Sequence, residues 1–182
     1  MAVYVALLRG INVGGHKRIK MDQLRKSFEA LGFEQVKTYI QSGNVVFKTA
    51  NLSSIGLSKR IEESILRDFG HSVSVTSRTL DEMGEAIKTN PFLKKRGIDQ
   101  AKLHVMFLPE CPLPSDLEQL QGLTVAPDQS HCLGKQIYLY LPNGVAKSSL
   151  ANNPLERRLL KRGTVRNWRT VTNLHRMCLD CG

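Results

Sequence analysis

"QVKTYIQSGNVVF", Gln35 to Phe47, decides how the first half of this chain folds. Gln35–Ile40 reads as a strand, Gln41–Asn44 is a turn signal built on Ser-Gly-Asn, and Val45–Phe47 returns as the second arm of a hairpin. Upstream, Val3–Leu8 is apolar and β-branched enough for a buried strand. Met21–Leu31 has apolar residues at Met21, Leu24, Phe28 and Leu31, which is helical spacing, and Gly32 stops the helix. Downstream, Ser53 or Ser54 caps a helix running to about Phe69, Gly70 ends it, and Val73–Ser77 alternates as a strand. The order is β-α-β-β-α-β.

Thr79 opens a short helix through Lys88, with Asp81 and Glu82 in its first turn, where the helix dipole favours acids. Beyond it come a strand at Leu103–Leu108, a helix at Ser115–Leu120, and strands at Leu123–Ala126 and Gln136–Leu141. Asn153 and Pro154 open a helix to about Lys161, and a last helix runs from about Arg166 to Cys178. This second order, β-α-β-β-α-α, matches the first without its final strand. The expected fold is α+β: duplicated ferredoxin-like (α/β plait) units, with antiparallel sheets covered by helices. Residues 1–78 form the first plait, and residues 79–182 form a second plait-like half with basic C-terminal helices. No residue-level repeat links the halves, so the duplication is a topological reading.

The 182 residues are 41% hydrophobic, enough for a core, and carry a net charge of +10. No apolar run approaches the roughly 20 residues of a membrane span, and "MAVYVALLRG" lacks the basic start and cleavage site of a secretory signal. A cytoplasmic protein without a membrane partner is expected, its cysteines at 111, 132, 178 and 181 being free thiols. The charge is localised. Residues 9–26 hold Arg9, Lys17, Arg18, Lys20, Arg25 and Lys26 against Asp22, a net +5. Residues 147–176 hold Lys147, Arg157, Arg158, Lys161, Arg162, Arg166, Arg169 and Arg176 against Glu156, a net +7. Localised charge of one sign points to an acidic partner.

In a β-α-β-β-α-β plait the first strand, the first helix's N-terminus and the hairpin meet at one sheet edge. "RGINVGG" and "QSGN" are therefore expected to be neighbours. Gly10, Gly14 and Gly15 let backbone amides approach a ligand, Arg9 offers paired donors to an oxyanion, and Lys17 adds charge. Asn12, Ser42 and Asn44 can donate or accept hydrogen bonds around Gly43. The expected ligand is a phosphate-bearing small molecule, a nucleotide or phosphorylated metabolite. The spacing matches neither G-x-x-x-x-G-K-[ST] nor G-x-G-x-x-G. A purely structural reading also stands: these glycines supply left-handed turns and Ser-Gly-Asn closes a hairpin.

The second basic segment gives the alternative of RNA or DNA binding. Arg166, Arg169, Asn173 and Arg176 fall on one side of a helical wheel, with Trp168 as a stacking platform and Asn167 between them. The bland alternative buries the single Trp in the core. A third reading is a structural or partner subunit without a ligand. Cys178-Leu-Asp-Cys181 has C-x-x-C form with His175 a turn earlier, but lacks a second ligand pair, so no metal site is assigned. His16 is the sole histidine in the expected site loop, with Asp22 the nearest acid; no catalytic constellation stands out. The residues name neither a reaction nor a cofactor.

"LLRGINVGG", "TYIQSGNVVF" and "RNWRTV", in this order, resemble the bacterial family catalogued as domain of unknown function 1697. The third stretch is similar to the family's Thr-x-Arg-Asn-Trp-x-Thr pattern, carried here by Thr164, Arg166, Asn167, Trp168 and Thr170. The resemblance implies a duplicated plait and supplies no activity. The C-x-x-C tail is not part of that pattern.

Overall fold

The computed structural model describes residues 1–148 and 163–182. They divide into two compact units, one of Met1–Glu85 with Asn173–Gly182 and one of Ala86–Thr172. Among the described residues no helix is long and apolar enough to cross a membrane.

The first unit follows the expected order: β1 (Ala2–Leu8), α1 (Met21–Ala30), β2 (Glu34–Tyr39), β3 (Asn44–Thr49), α2 (Ser54–Phe69) and β4 (Val75–Thr79). The sheet order is β2-β3-β1-β4 and every neighbouring pair is antiparallel. This is the ferredoxin-like plait. β1 is buried along almost its whole length, which is why it reads as a continuous apolar run rather than an alternating one. Tyr4, Ala6 and Leu8 face the cluster that holds Phe28, Phe33, Phe47, Leu57, Ile61 and Ile65. Phe33 stacks on Phe47 with centroids 4.6 Å apart, and Phe28 meets Phe47 edge-on at 5.4 Å. Ser53 caps α2 by accepting from the Gly56 amide at 3.2 Å, and Gly70 ends it in the left-handed conformation, φ 68°.

Strand β4 lies at a sheet edge, and its outward amides are plugged. The Arg9 amide donates to Ser74 O, so alternation turns the amides of Val75, Ser77 and Thr79 away from β1. Glu62 Oε1 accepts from Val75 at 2.7 Å, Ser58 Oγ from Ser77 at 3.0 Å, and Glu82 Oε2 from Thr79 at 2.9 Å. Glu82 also completes a capping box, because its own amide donates to Thr79 Oγ1 at 3.1 Å and starts α3 (Leu80–Lys88).

The second unit contains β5 (Leu103–Phe107), α4 (Pro114–Leu123), β6 (Gln129–Leu133), β7 (Gln136–Tyr140) and β8 (Thr164–Asn167). Its order, β6-β7-β5-β8, repeats that of the first sheet, again fully antiparallel. Met106, Leu108, Leu120, Ile137, Leu139 and Leu141 form the cluster on one face. The protein is therefore α+β with two ferredoxin-like sheets.

Three expectations are corrected here. Leu123–Ala126 is not a strand: α4 continues through Leu123, and the strand is Gln129–Leu133. Thr124 ends that helix by donating its hydroxyl to Leu120 O at 2.7 Å, which the short apolar run around it conceals. The last helix, α5, spans Trp168–Leu179 and does not begin near Arg166. Residues Thr164–Asn167 pair with β5 instead and supply the final strand that the second half lacked. Asn167 then caps α5, its Oδ1 accepting from the Thr170 amide at 2.8 Å. The fourth β-strand of the first unit is displaced by two residues from Val73–Ser77. The expected helix from Asn153 to about Lys161 lies outside the described residues.

Candidate functional site

The loop leaving β1 is built around Asn12. Its backbone is left-handed, φ 55°, a conformation asparagine tolerates better than most residues. Its Nδ2 donates to Ile19 O at 2.9 Å and to Gln41 O at 3.0 Å, while Oδ1 accepts from the Ile19 amide at 2.9 Å. One side chain thus ties together the loop, the start of α1 and the β2–β3 hairpin. The Asn12 amide donates to Lys17 O, and Val13 and His16 form a small antiparallel bridge with Gly14 and Gly15 at its tip. The Leu8 amide donates to Gly43 O at 2.7 Å, a second direct link between loop and hairpin.

Helix α1 starts without a cap. Lys20 occupies the N-cap position with extended backbone and makes no side-chain cap bond. The first amide with an acceptor is that of Leu24, bonded to Lys20 O; among the described residues those of Met21, Asp22 and Gln23 have none. They open on a cleft of about 780 Å³, lined by Asn12, Gly15, Arg18, Lys20, Asp22 and Gln41 among others. Among the described residues the Arg18 and Lys20 side chains are in no ion pair.

Asn12 and Gly15 line this cleft as sequence reasoning placed them. The other expected ligand residues lie elsewhere. Strand alternation, continued through the Arg9 N–H···O=C Ser74 bond, puts Arg9 on the Leu7 side of the sheet, opposite Leu8 and the helices. Lys17 is left-handed, φ 46°, and its Nζ donates to Ser72 O at 2.5 Å. Asn44 is fully buried, its Nδ2 donating to Tyr39 O at 3.2 Å and Ser42 Oγ at 2.9 Å, so it closes the hairpin. Gly43 packs against Leu8 and Ile11. Gly10 and Gly14 hold left-handed turns, φ 67° and 57°. Arg18, Lys20 and Gln41 also line the cleft; in the sequence Arg18 and Lys20 stand only as members of the basic cluster and Gln41 only as part of the hairpin turn. One signal was legible: no Ser, Thr, Asp or Asn precedes Met21 where a cap would stand.

Arg157, Arg158, Lys161 and Arg162 of the second basic segment lie outside the described residues, and among the described ones Arg166 does not share a helix face with Arg169 and Arg176. Arg166 lies on β8, partly buried, its guanidinium turned back to Thr164 Oγ1 at 2.5 Å and Val165 O at 2.9 Å. Burial pushes it down to about 10, which still leaves it protonated at neutral pH. Asn167 caps α5, and Trp168 is only 5% exposed, so it is a core residue rather than a stacking platform. Arg169 remains exposed. Further along α5, Asn173 Nδ2 donates to Tyr39 OH at 2.7 Å, and Arg176 donates to Asn173 Oδ1 at 2.8 Å.

Among the described residues no three His, Cys, Asp or Glu side chains are grouped to hold a metal ion. Cys178 is buried, and burial, with Cys181 adding to it, pushes its thiol up to about 12. A group that stays protonated is a poor nucleophile. Iodoacetamide at neutral pH is therefore expected to alkylate exposed Cys111 in the native protein and to spare Cys178 until the chain unfolds, as peptide mass mapping would show. Native labelling of Cys178 would mean that the C-terminal turn opens readily.

A family model described as "Protein of unknown function (DUF1697)" matches residues 1–138. Among solved structures, a conserved bacterial protein, SP0830 from Streptococcus pneumoniae, superposes with a TM-score of 0.77. It shares 25% sequence identity, with 97% of this chain and 98% of that chain covered. No curated protein matches the chain.

Proposed function

We propose, for a chain that belongs to this family of proteins of unknown function, that the cleft at the α1 N-terminus binds a small anionic ligand through a phosphate group. The observation that carries the reading is the pairing of three acceptorless amides, at Met21, Asp22 and Gln23, with Arg18 and Lys20 around one cleft. A helix N-terminus carries roughly half a positive charge, and its free N–H groups suit tetrahedral oxyanions. Arg18 can add two parallel charge-assisted hydrogen bonds. Asp22 opposes them: its carboxylate lines the same cleft and competes for the same positive potential. A site of this kind selects a ligand bearing more than one negative charge, which outweighs that carboxylate. The nucleic-acid reading retains the basic charge of the chain as support, without an aromatic platform at Trp168.

The test is a titration with inorganic phosphate and with a nucleoside monophosphate, followed by calorimetry and by amide shifts of residues 12–23. Arg18→Ala is expected to weaken phosphate binding about tenfold, the loss of one charge-assisted contact. Asp22→Asn should strengthen it by about threefold, the scale of one first-turn charge near a helix terminus. No saturable binding by the wild-type chain at millimolar phosphate, or equal affinity in all three proteins, would remove the proposal.

A further inference from the structure

Among the described residues the four sheet edges are not built alike. On β4 every outward amide is plugged by a side chain, from Glu62, Ser58 or Glu82. Strand β2 carries Glu34 and Lys37, and its register with β3 shifts between them, with Gln35 left-handed at φ 51°. Strand β8 has four residues and includes Arg166. Charges, bulges, short length and covered amides are the devices that keep sheet edges from pairing with other chains. Strand β6, Gln129–Leu133, has none of them. It contains no charged residue and no proline, and its register with β7 runs unbroken from Gln129↔Tyr140 to Leu133↔Gln136.

The hydrogen-bond parity of β6 follows from its neighbours. The Leu108 amide donates to Lys135 O at 2.9 Å and the Leu141 amide to Lys102 O at 3.0 Å. Alternation along β7 therefore turns the backbone groups of Gln136, Tyr138 and Tyr140 toward β6, opposite Leu133, His131 and Gln129. Ser130 and Cys132 carry their N–H and C=O groups outward. Among the described residues neither amide has an acceptor. The segment itself is electrically neutral: residues 125–140 contain Asp128 and Lys135 as their charged side chains, in a chain of net charge +10, with Lys95 Nζ reaching in to Gln129 Oε1 at 3.0 Å at one end of the strand. Two copies of so basic a protein meet least repulsion at a neutral segment.

We propose that β6 pairs antiparallel with β6 of a second copy of this chain, about a two-fold axis at His131, giving a homodimer whose two four-stranded sheets become one of eight strands. In this register Ser130 of each copy lies opposite Cys132 of the other. Each such pair exchanges both N–H···O=C bonds, so all four outward amides gain acceptors. No charge is set against a like charge. The contact is isologous and closes on itself, which limits the assembly to two chains. This inference is independent of the anion cleft.

Sedimentation velocity over a concentration series is expected to show a reversible species of twice the chain mass. His131→Cys reads the register. Residues directly opposite in a non-hydrogen-bonded antiparallel pair have Cα atoms about 4.5 Å apart, within disulfide range. Mild oxidation should cross-link that variant, with the bond mapped to position 131, and should leave the wild-type chain uncross-linked. Cys132→Pro removes an outward donor at a place where an edge strand tolerates proline, so it should give a folded monomer. A wild-type chain that stays monomeric at every concentration overturns the proposal. So does a dimer that survives Cys132→Pro and yields no cross-link at position 131. If the proline variant fails to fold, the cross-link alone decides.

Discussion

Gly43→Ala is expected to lower the melting temperature by roughly 6–12 °C, although it adds a single methyl group, because Gly43 is buried at the turn of its hairpin. A Cβ at this position would sit 2.7 Å from Leu8 Cβ and 2.9 Å from Ile11 Cγ1, both on fully buried side chains. It would also hold alanine at φ 72°. The left-handed penalty is about 1–2 kcal/mol, and overpacking a dense core adds about 1–3 kcal/mol. The sum, about 3 kcal/mol, converts at roughly 2–4 °C per kcal/mol for a chain of this size. Gly10→Ala separates the two causes. Gly10 is equally left-handed, φ 67°, with nothing within 4 Å of an added Cβ, so it should show the conformational penalty alone. Thermal unfolding followed by circular dichroism makes the comparison. Equal shifts in the two variants would mean that the hairpin relaxes away from Leu8 and Ile11.

Asn12→Ala should be the most damaging change in the cleft, and it should act on stability and binding together. The substitution removes three hydrogen bonds that join β1's exit loop, Ile19 and Gln41. At about 1 kcal/mol net each, with a further 1 kcal/mol or so for alanine at positive φ, the expected loss is about 3–4 kcal/mol. Phosphate binding should fall with it, because the amides of Met21–Gln23 are aimed by the same lock. Asn12→Asp keeps the acceptor for the Ile19 amide but sets a carboxylate against two carbonyl oxygens, so it should rescue little. Differential scanning calorimetry and a phosphate titration on both variants check this. Unchanged stability in Asn12→Ala would show that the loop holds its shape without that side chain.

These two residues show how unevenly the site was legible. The meeting of loop and hairpin followed from strand order alone, because a right-handed crossover returns β2 parallel to β1 and ends both at one edge. The direction of individual side chains did not follow. Arg9 sits one residue past a buried strand, and a parity of two places it across the sheet from α1. Asn44 looked like a donor to a ligand, yet its amide is consumed by Tyr39 O and Ser42 Oγ. Arg18 and Lys20 follow the loop glycines without a motif of their own, and the one local sign of the cleft is the missing cap before Met21.

Local sequence by itself determined the elements with strong periodicity or punctuation: β1 as an apolar run, α1 and α2 by helical spacing with Ser53 and Gly70 at the ends of α2, and the β2–β3 hairpin at Ser-Gly-Asn. These signals are short-range, carried by steric preference and by the alternation of water-facing and core-facing side chains, so they survive being read along the chain. Tertiary structure decided the rest. Thr164–Asn167 is a strand because β5 offers it an edge to pair with, and Gln129–Leu133 is one because β7 does, though neither has an apolar pattern of its own. Trp168 is buried, and Arg166 folds back on its own strand, because that pairing fixes where the helix begins. A strand of four or five residues gains its stability from its neighbours, and those neighbours are distant in sequence.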